Sequence, residues 1–163
     1  MKKEATNHML VLQPVPKTIV SCRDKAGKDN ALVVGFAANV SLDHAMILIG
    51  IVPTRYSHHI VKETGCFIIN LPGKNFEKEY NYLGSHSGRD GDKFAALGLK
   101  TEEGTAVNAA ILSDCPVSIE CSVVESTMPG THELFIGKVE AVHCDEQYLD
   151  DKGSIQWGKI DLL

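Results

Sequence analysis

Apolar and polar positions fall into short runs along most of the chain, and few runs are long enough for a helix. Residues 18–23 (TIVSCR) are β-branched at their start and read as a strand. The charged, glycine-centred residues 24–30 (DKAGKDN) turn the chain, and residues 31–37 (ALVVGFA) return as a hairpin partner. Residues 45–52 (AMILIGIV) are apolar without alternation, which predicts a strand covered on both faces and ended by Pro53. Ser57 is placed to cap a short helix running to about Thr64, with Gly65 as its C-terminal stop.

Residues 66–71 (CFIINL) predict another buried strand, closed by Pro72-Gly73. A polar helical segment follows over residues 75–84, and a short helix is expected over residues 92–96. Val117, Ile119, Cys121 and Val123 alternate with Ser118, Glu120 and Ser122, the pattern of a half-exposed strand. Residues 132–144 predict a long strand in which Gly137 permits a bend or bulge. Residues 150–153 form a tight turn into a final segment carrying the lone Trp157. Many short strands with two or three brief helices predict a mainly β fold, a closed or nearly closed barrel. No G-x-G-x-x-G opens a helix and no Walker lysine motif is present, so a doubly wound nucleotide fold is disfavoured.

Composition narrows the partners. At 163 residues, 44% apolar and 23% charged, the chain fits one domain over residues 1–163 with a core of its own. A net charge of −5 without a basic stripe argues against nucleic acid and against an anionic membrane surface. Met1-Lys2-Lys3-Glu4 begins like a signal n-region, but no apolar h-region follows, and residues 45–53 are too short to cross a bilayer. A cytoplasmic location is expected. The five cysteines are odd in number and form no Cys-x-x-Cys pair, which fits reduced, buried thiols rather than a disulfide framework or a zinc site. Asn39-Val40-Ser41 matches a glycosylation acceptor and carries no weight without a secretory signal.

The candidate chemistry lies in polar interruptions. Residues 85–94 (SHSGRDGDKF) hold two hydroxyls, a glycine-flanked turn, an arginine and a lysine, the groups a phosphate monoester needs. An ordinary surface loop shares that composition. Upstream, Ala37, Ala38, Asn39, Val40 and Ser41 follow an apolar strand, and the small side chains let a flat ring approach the backbone. Thr54-Arg55-Tyr56-Ser57 sits at a helix start, where free N–H groups, a hydroxyl and a charge suit a phosphate, although Ser57 serves equally well as an N-cap. His58-His59 lacks the spacing of a metal pair, and Asp90-Gly91-Asp92 is only a fragment of a calcium loop. No nucleophile elbow or Cys/His signature is present. His132, after Pro129-Gly130-Thr131, is either a solvated loop histidine or an imidazole over a pocket.

Taken in order, the strand-end A-N-x-S, the R-Y-S helix start, S-G-R-D-x-D-K-F and T-H-E-L-F-I-G-K-V resemble the flavin reductase-like family of FMN-binding split barrels, the group of flavoredoxin- and ferric reductase-like proteins. The resemblance runs over residues 14–145. It implies that Ala37, Ala38, Asn39, Val40 and Ser41 contact the isoalloxazine ring. It implies phosphate contacts from Arg55, Ser57, Ser85, Ser87 and Lys93, with Gly88 and Arg89 shaping the loop, and nicotinamide stacking near His132. It further implies a homodimer with FMN near the subunit interface. The reaction implied is NADH- or NADPH-dependent flavin reduction through N5. The alternative is an FMN electron carrier reduced by a protein partner, and a third is a barrel without flavin. The acceptor would be a protein or a small molecule. Relatives often carry Asp-Pro-Pro where this chain has Asp43-His44-Ala45, and many continue beyond the position of Leu163 with a tail near the active site.

Overall fold

Gly35 alone separates two strands that lie at opposite edges of one sheet. In the computed structural model, which describes residues 1–163, nine strands form: β1 (Thr18–Arg23), β2 (Asp29–Val34), β3 (Phe36–Ser41), β4 (Met46–Ile51), β5 (Cys66–Leu71), β6 (Thr101–Glu103), β7 (Ala110–Leu112), β8 (Val117–Thr127) and β9 (Glu133–Cys144). Seven of them make an antiparallel sheet in the order β2-β1-β5-β8-β9-β4-β3, and β6 pairs with β7. Laid flat, the edges of seven strands would stand roughly 29 Å apart. The two Cα steps from Val34 to Phe36 span at most about 7.6 Å. The sheet must therefore curl until its edges meet, giving a mainly β split barrel.

The curl creates an inside and an outside. Val20, Leu32, Ile49, Phe67, Ile69 and Phe135 fill the interior. Ile19, Ala31, Phe76, Leu83 and Leu112 form a second cluster. That cluster packs beneath helix α2 (Glu77–Ser85), which a 3-10 turn at Lys74–Phe76 precedes, and beside α3 (Lys93–Leu97). Helix α1 (Tyr56–Thr64) buries Ile60 and Val61 in the interior cluster and ends at Gly65, whose φ of 68° is the left-handed conformation expected of a helix stop. Gly137 is required for close approach: a Cβ there would lie 2.6 Å from Phe67 Cζ and 2.8 Å from Cys121 Cβ.

Several expectations change. The strand predicted over residues 31–37 ends at Val34, because Gly35 bends the chain, and residues 36–41 form an edge strand instead of a strand-end loop. β4 buries Ile47, Ile49 and Ile51 but leaves Met46 and Leu48 half-buried, so only one face is fully covered. β8 is not half-exposed at its start: Ser118 and Glu120 are buried, because residues 104–112 fold over that face. Asn70 accepts there from Leu112 N and Ser118 Oγ, and Glu120 accepts from the backbone of Thr105, Ala106 and Val107. The pairing of β8 with β9 shifts register beside Gly137, between Val123 and Glu125, and again opposite residues 139–141, between Glu120 and Cys121. Arg55, not Ser57, is the N-cap of α1, and no side chain caps that helix. No helix is long and apolar enough to cross a membrane.

Candidate functional site

The start of α1, the inner half of β2 and the loop between α2 and α3 enclose a cavity of about 210 Å³. Arg55, Ser57, Ser87, Gly88, Arg89 and Lys93 all line it, joined by Asn30, Thr54, Tyr56 and His86. None of its lining residues is acidic, and Arg55, Arg89 and Lys93 pair with no carboxylate. Three cations facing one space beside a helix N-terminus make an anion site.

Local sequence chemistry explains how each cation gets there. Asp92 caps α3, accepting from Phe94 N at 2.9 Å and Ala95 N at 3.1 Å, and so turns Lys93 inward. The buried Lys93 ammonium donates to His86 O at 3.1 Å and Leu83 O at 3.3 Å. Burial, with Arg55 nearby, pushes its pKa down to about 8. Arg89 Nη1 donates to Thr54 O at 2.8 Å, and its guanidinium lies 5.7 Å from the Tyr56 ring centre. Gly88 lets the loop close on α1 and β2. A Cβ there would sit 2.5 Å from Tyr56 Cδ1 and 2.6 Å from Asn30 Oδ1. Asn30 Nδ2 donates to Ser57 Oγ at 2.6 Å, which leaves the serine hydrogen free for another acceptor.

Other expected site residues lie elsewhere. Ser85 is on the last turn of α2 and donates to Asn81 O at 2.8 Å, outside the lining of the cation cavity. Ala37, Ala38 and Asn39 line a separate, largely apolar cavity of about 400 Å³ together with Ile47, Ile69 and Trp157. Val40 is exposed, and Ser41 Oγ donates to Asp43 O at 2.8 Å. Because β3 pairs only with β4, alternate backbone N–H and C=O groups of residues 36–41 have no strand partner on the outer side. That free edge suits the hydrogen-bonding rim of a flat heterocycle. His132 precedes β9 and rests its ring 4.4 Å from that of Phe36, the first residue of β3.

Sequence reasoning missed Asn30 as part of the cation cavity, and it named the segments holding Thr54, Tyr56 and His86 without giving those residues a role. Asn30 stood as the last polar residue before the apolar run of β2, with no further signal; the others become neighbours only through the closed loop.

The cation cavity is walled in part by β2, which Gly35 joins to the free-edged β3, and comparison with known proteins adds the family. Flavoredoxin of Desulfovibrio vulgaris (Miyazaki F) superposes with a TM-score of 0.90 at 28% identity, over 98% of this chain and 85% of that one. Flavoredoxin from Methanosarcina acetivorans gives 0.91 at 28% identity, over 100% of this chain and 86% of that one. The NADH:riboflavin 5'-phosphate oxidoreductase of Streptomyces pristinaespiralis is 26% identical over 122 residues, 75% of this chain and 66% of that protein. The family model described as "Flavin reductase like domain" matches residues 12–158, and this chain belongs to that family of flavin-binding split barrels.

Proposed function

We propose that the protein binds FMN with its phosphate in the cation cavity and acts as an NAD(P)H-dependent flavin oxidoreductase. The observation that carries this reading is the set of three cations without carboxylate partners at the start of α1, one bend away from the unpaired edge of β3. Lys93, Arg55 and the Ser57 hydroxyl would hold the phosphate, and Ser87 and Arg89 would close the loop over it. Backbone groups of residues 37–41 would meet the ring edge and stabilise negative charge gathering there. Ser85, turned back on its own helix, would act through the loop.

Flavin, when bound, supplies the hydride acceptor at N5, so the protein need not supply a strong acid or base. Its task is positioning. His132, seated on Phe36 at the start of the same strand, would order the nicotinamide ring. The exposed Val40 and Leu42 on and beside β3, with Met128 before β9, support burial against a second copy and hence a homodimer.

The likeness to two flavoredoxins supports a second reading, an FMN electron carrier reduced by a protein partner. Anaerobic mixing separates the two. Flavin absorbance that bleaches on adding NADH or NADPH supports the reductase; bound flavin untouched by either nucleotide supports the carrier. A purified protein that takes up no FMN overturns both.

A further inference from the structure

Glu133 opens β9 and is buried, with its carboxylate turned onto α1. Oε2 accepts from His58 Nε2 at 2.7 Å, while Oε1 accepts from Lys62 Nζ at 3.1 Å and from Ser126 Oγ at 2.8 Å. His58 and Lys62 are four residues apart on α1, so one carboxylate reaches both. The hydrogen bond from Ser126, followed by those from His58 and Lys62, holds the Glu133 carboxyl below its ordinary range against the opposing effect of burial. Phe135, two residues further along β9, packs its ring 5.6 Å from that of His58.

The neighbours of this cluster give it meaning. His58 directly follows Ser57, which lines the cation cavity. Glu133 directly follows His132, which lies on Phe36. A buried ionised carboxylate is no better for stability than a well-packed apolar residue. What it adds is direction, since its two oxygens fix two donors on one helix and a third from the end of β8.

We propose that Glu133 is a positioning residue: by clamping the start of β9 to α1 it sets where His132 stands relative to the phosphate end of the site. This rests on the reading that His132 meets the nicotinamide. Glu133→Gln keeps the shape but offers a single acceptor oxygen, and its amide hydrogens face donors.

Three measurements on the full chain test it. In the flavin-free protein, the His132 ring signals in two-dimensional NMR should move in E133Q. FMN affinity should stay within about twofold, while flavin reduction by NADH slows roughly tenfold. In a His132→Ala background, E133Q should then cause no further slowing, because both changes remove the same placement. Unmoved His132 signals, or losses that multiply in the double variant, overturn the proposal. If neither NADH nor NADPH reduces the wild-type flavin, the reductase reading fails by itself and the NMR comparison decides the clamp. Should E133Q not fold by circular dichroism, His58→Gln carries the same readouts.

Discussion

The Asn30 amide donates to the Ser57 hydroxyl at 2.6 Å, joining β2 to the first turn of α1 with both side chains buried. With that lone pair occupied, Ser57 is oriented as a donor. Asn30→Ala should therefore weaken FMN binding by roughly five- to tenfold, the worth of about one ordinary hydrogen bond. Riboflavin, which lacks the phosphate, should bind as before. Fluorescence titration with both ligands checks this, and equal losses for the two would show that Asn30 acts on the ring end instead.

Lys93 sets the pH dependence of the anion site. Its pKa is lowered to about 8 by burial, so the ammonium is intact below that pH and loses its proton as pH rises through it. The second ionisation of a phosphate monoester lies at about 6. FMN affinity should thus be highest between roughly pH 6.5 and 8 and fall above it. Lys93→Met should bind FMN more weakly at pH 7 and lose the alkaline decline. Isothermal titration across pH with both proteins reads the effect.

Gly88 is held between Tyr56 and Asn30 with no room for a methyl group. Gly88→Ala should push the loop away from α1 and reduce FMN affinity at least tenfold, as overpacking of about 1–3 kcal/mol is transmitted to the contacts of Ser87 and Arg89. The melting temperature of the flavin-free protein should fall as well, because Gly88 is buried and the same overpacking strains the folded state.

Glu120 tests the other end of the barrel. Burial by itself would raise its pKa, but the N–H groups of Thr105, Ala106 and Val107, together with His143 at 2.5 Å, overcome that and hold it at about 2. The folded value lies below the ordinary one. Its stabilisation is therefore complete above about pH 4.5 and is lost as pH falls towards 2. Glu120→Ala should cost roughly 1–3 kcal/mol, by leaving the N–H groups of Thr105, Ala106 and Val107 and the His143 ring without their acceptor. Urea unfolding at pH 7 measures the loss, and the acid limb of the wild-type stability curve should flatten in the variant.

Apolar periodicity and capping chemistry specify β1, β5 and the Asp92-capped α3, where they agree with the final packing. The sequence also marked the residues whose chemistry matters, since an Arg, a Ser and a Lys near a helix start carry their charge and hydroxyl in any fold. Tertiary structure decided which of them face one another. Residues 36–41 looked like a loop because an edge strand with one free side needs no apolar alternation, and pairing with β4 across the turn at residues 42–45 made it a strand. Ser118 and Glu120 looked solvent-facing because the segment covering them, though only 13–15 positions from Glu120, is held by backbone donors that leave no side-chain pattern. The clamp of Glu133 on His58 was equally hidden, since a contact across 75 positions is set by the closure of the barrel.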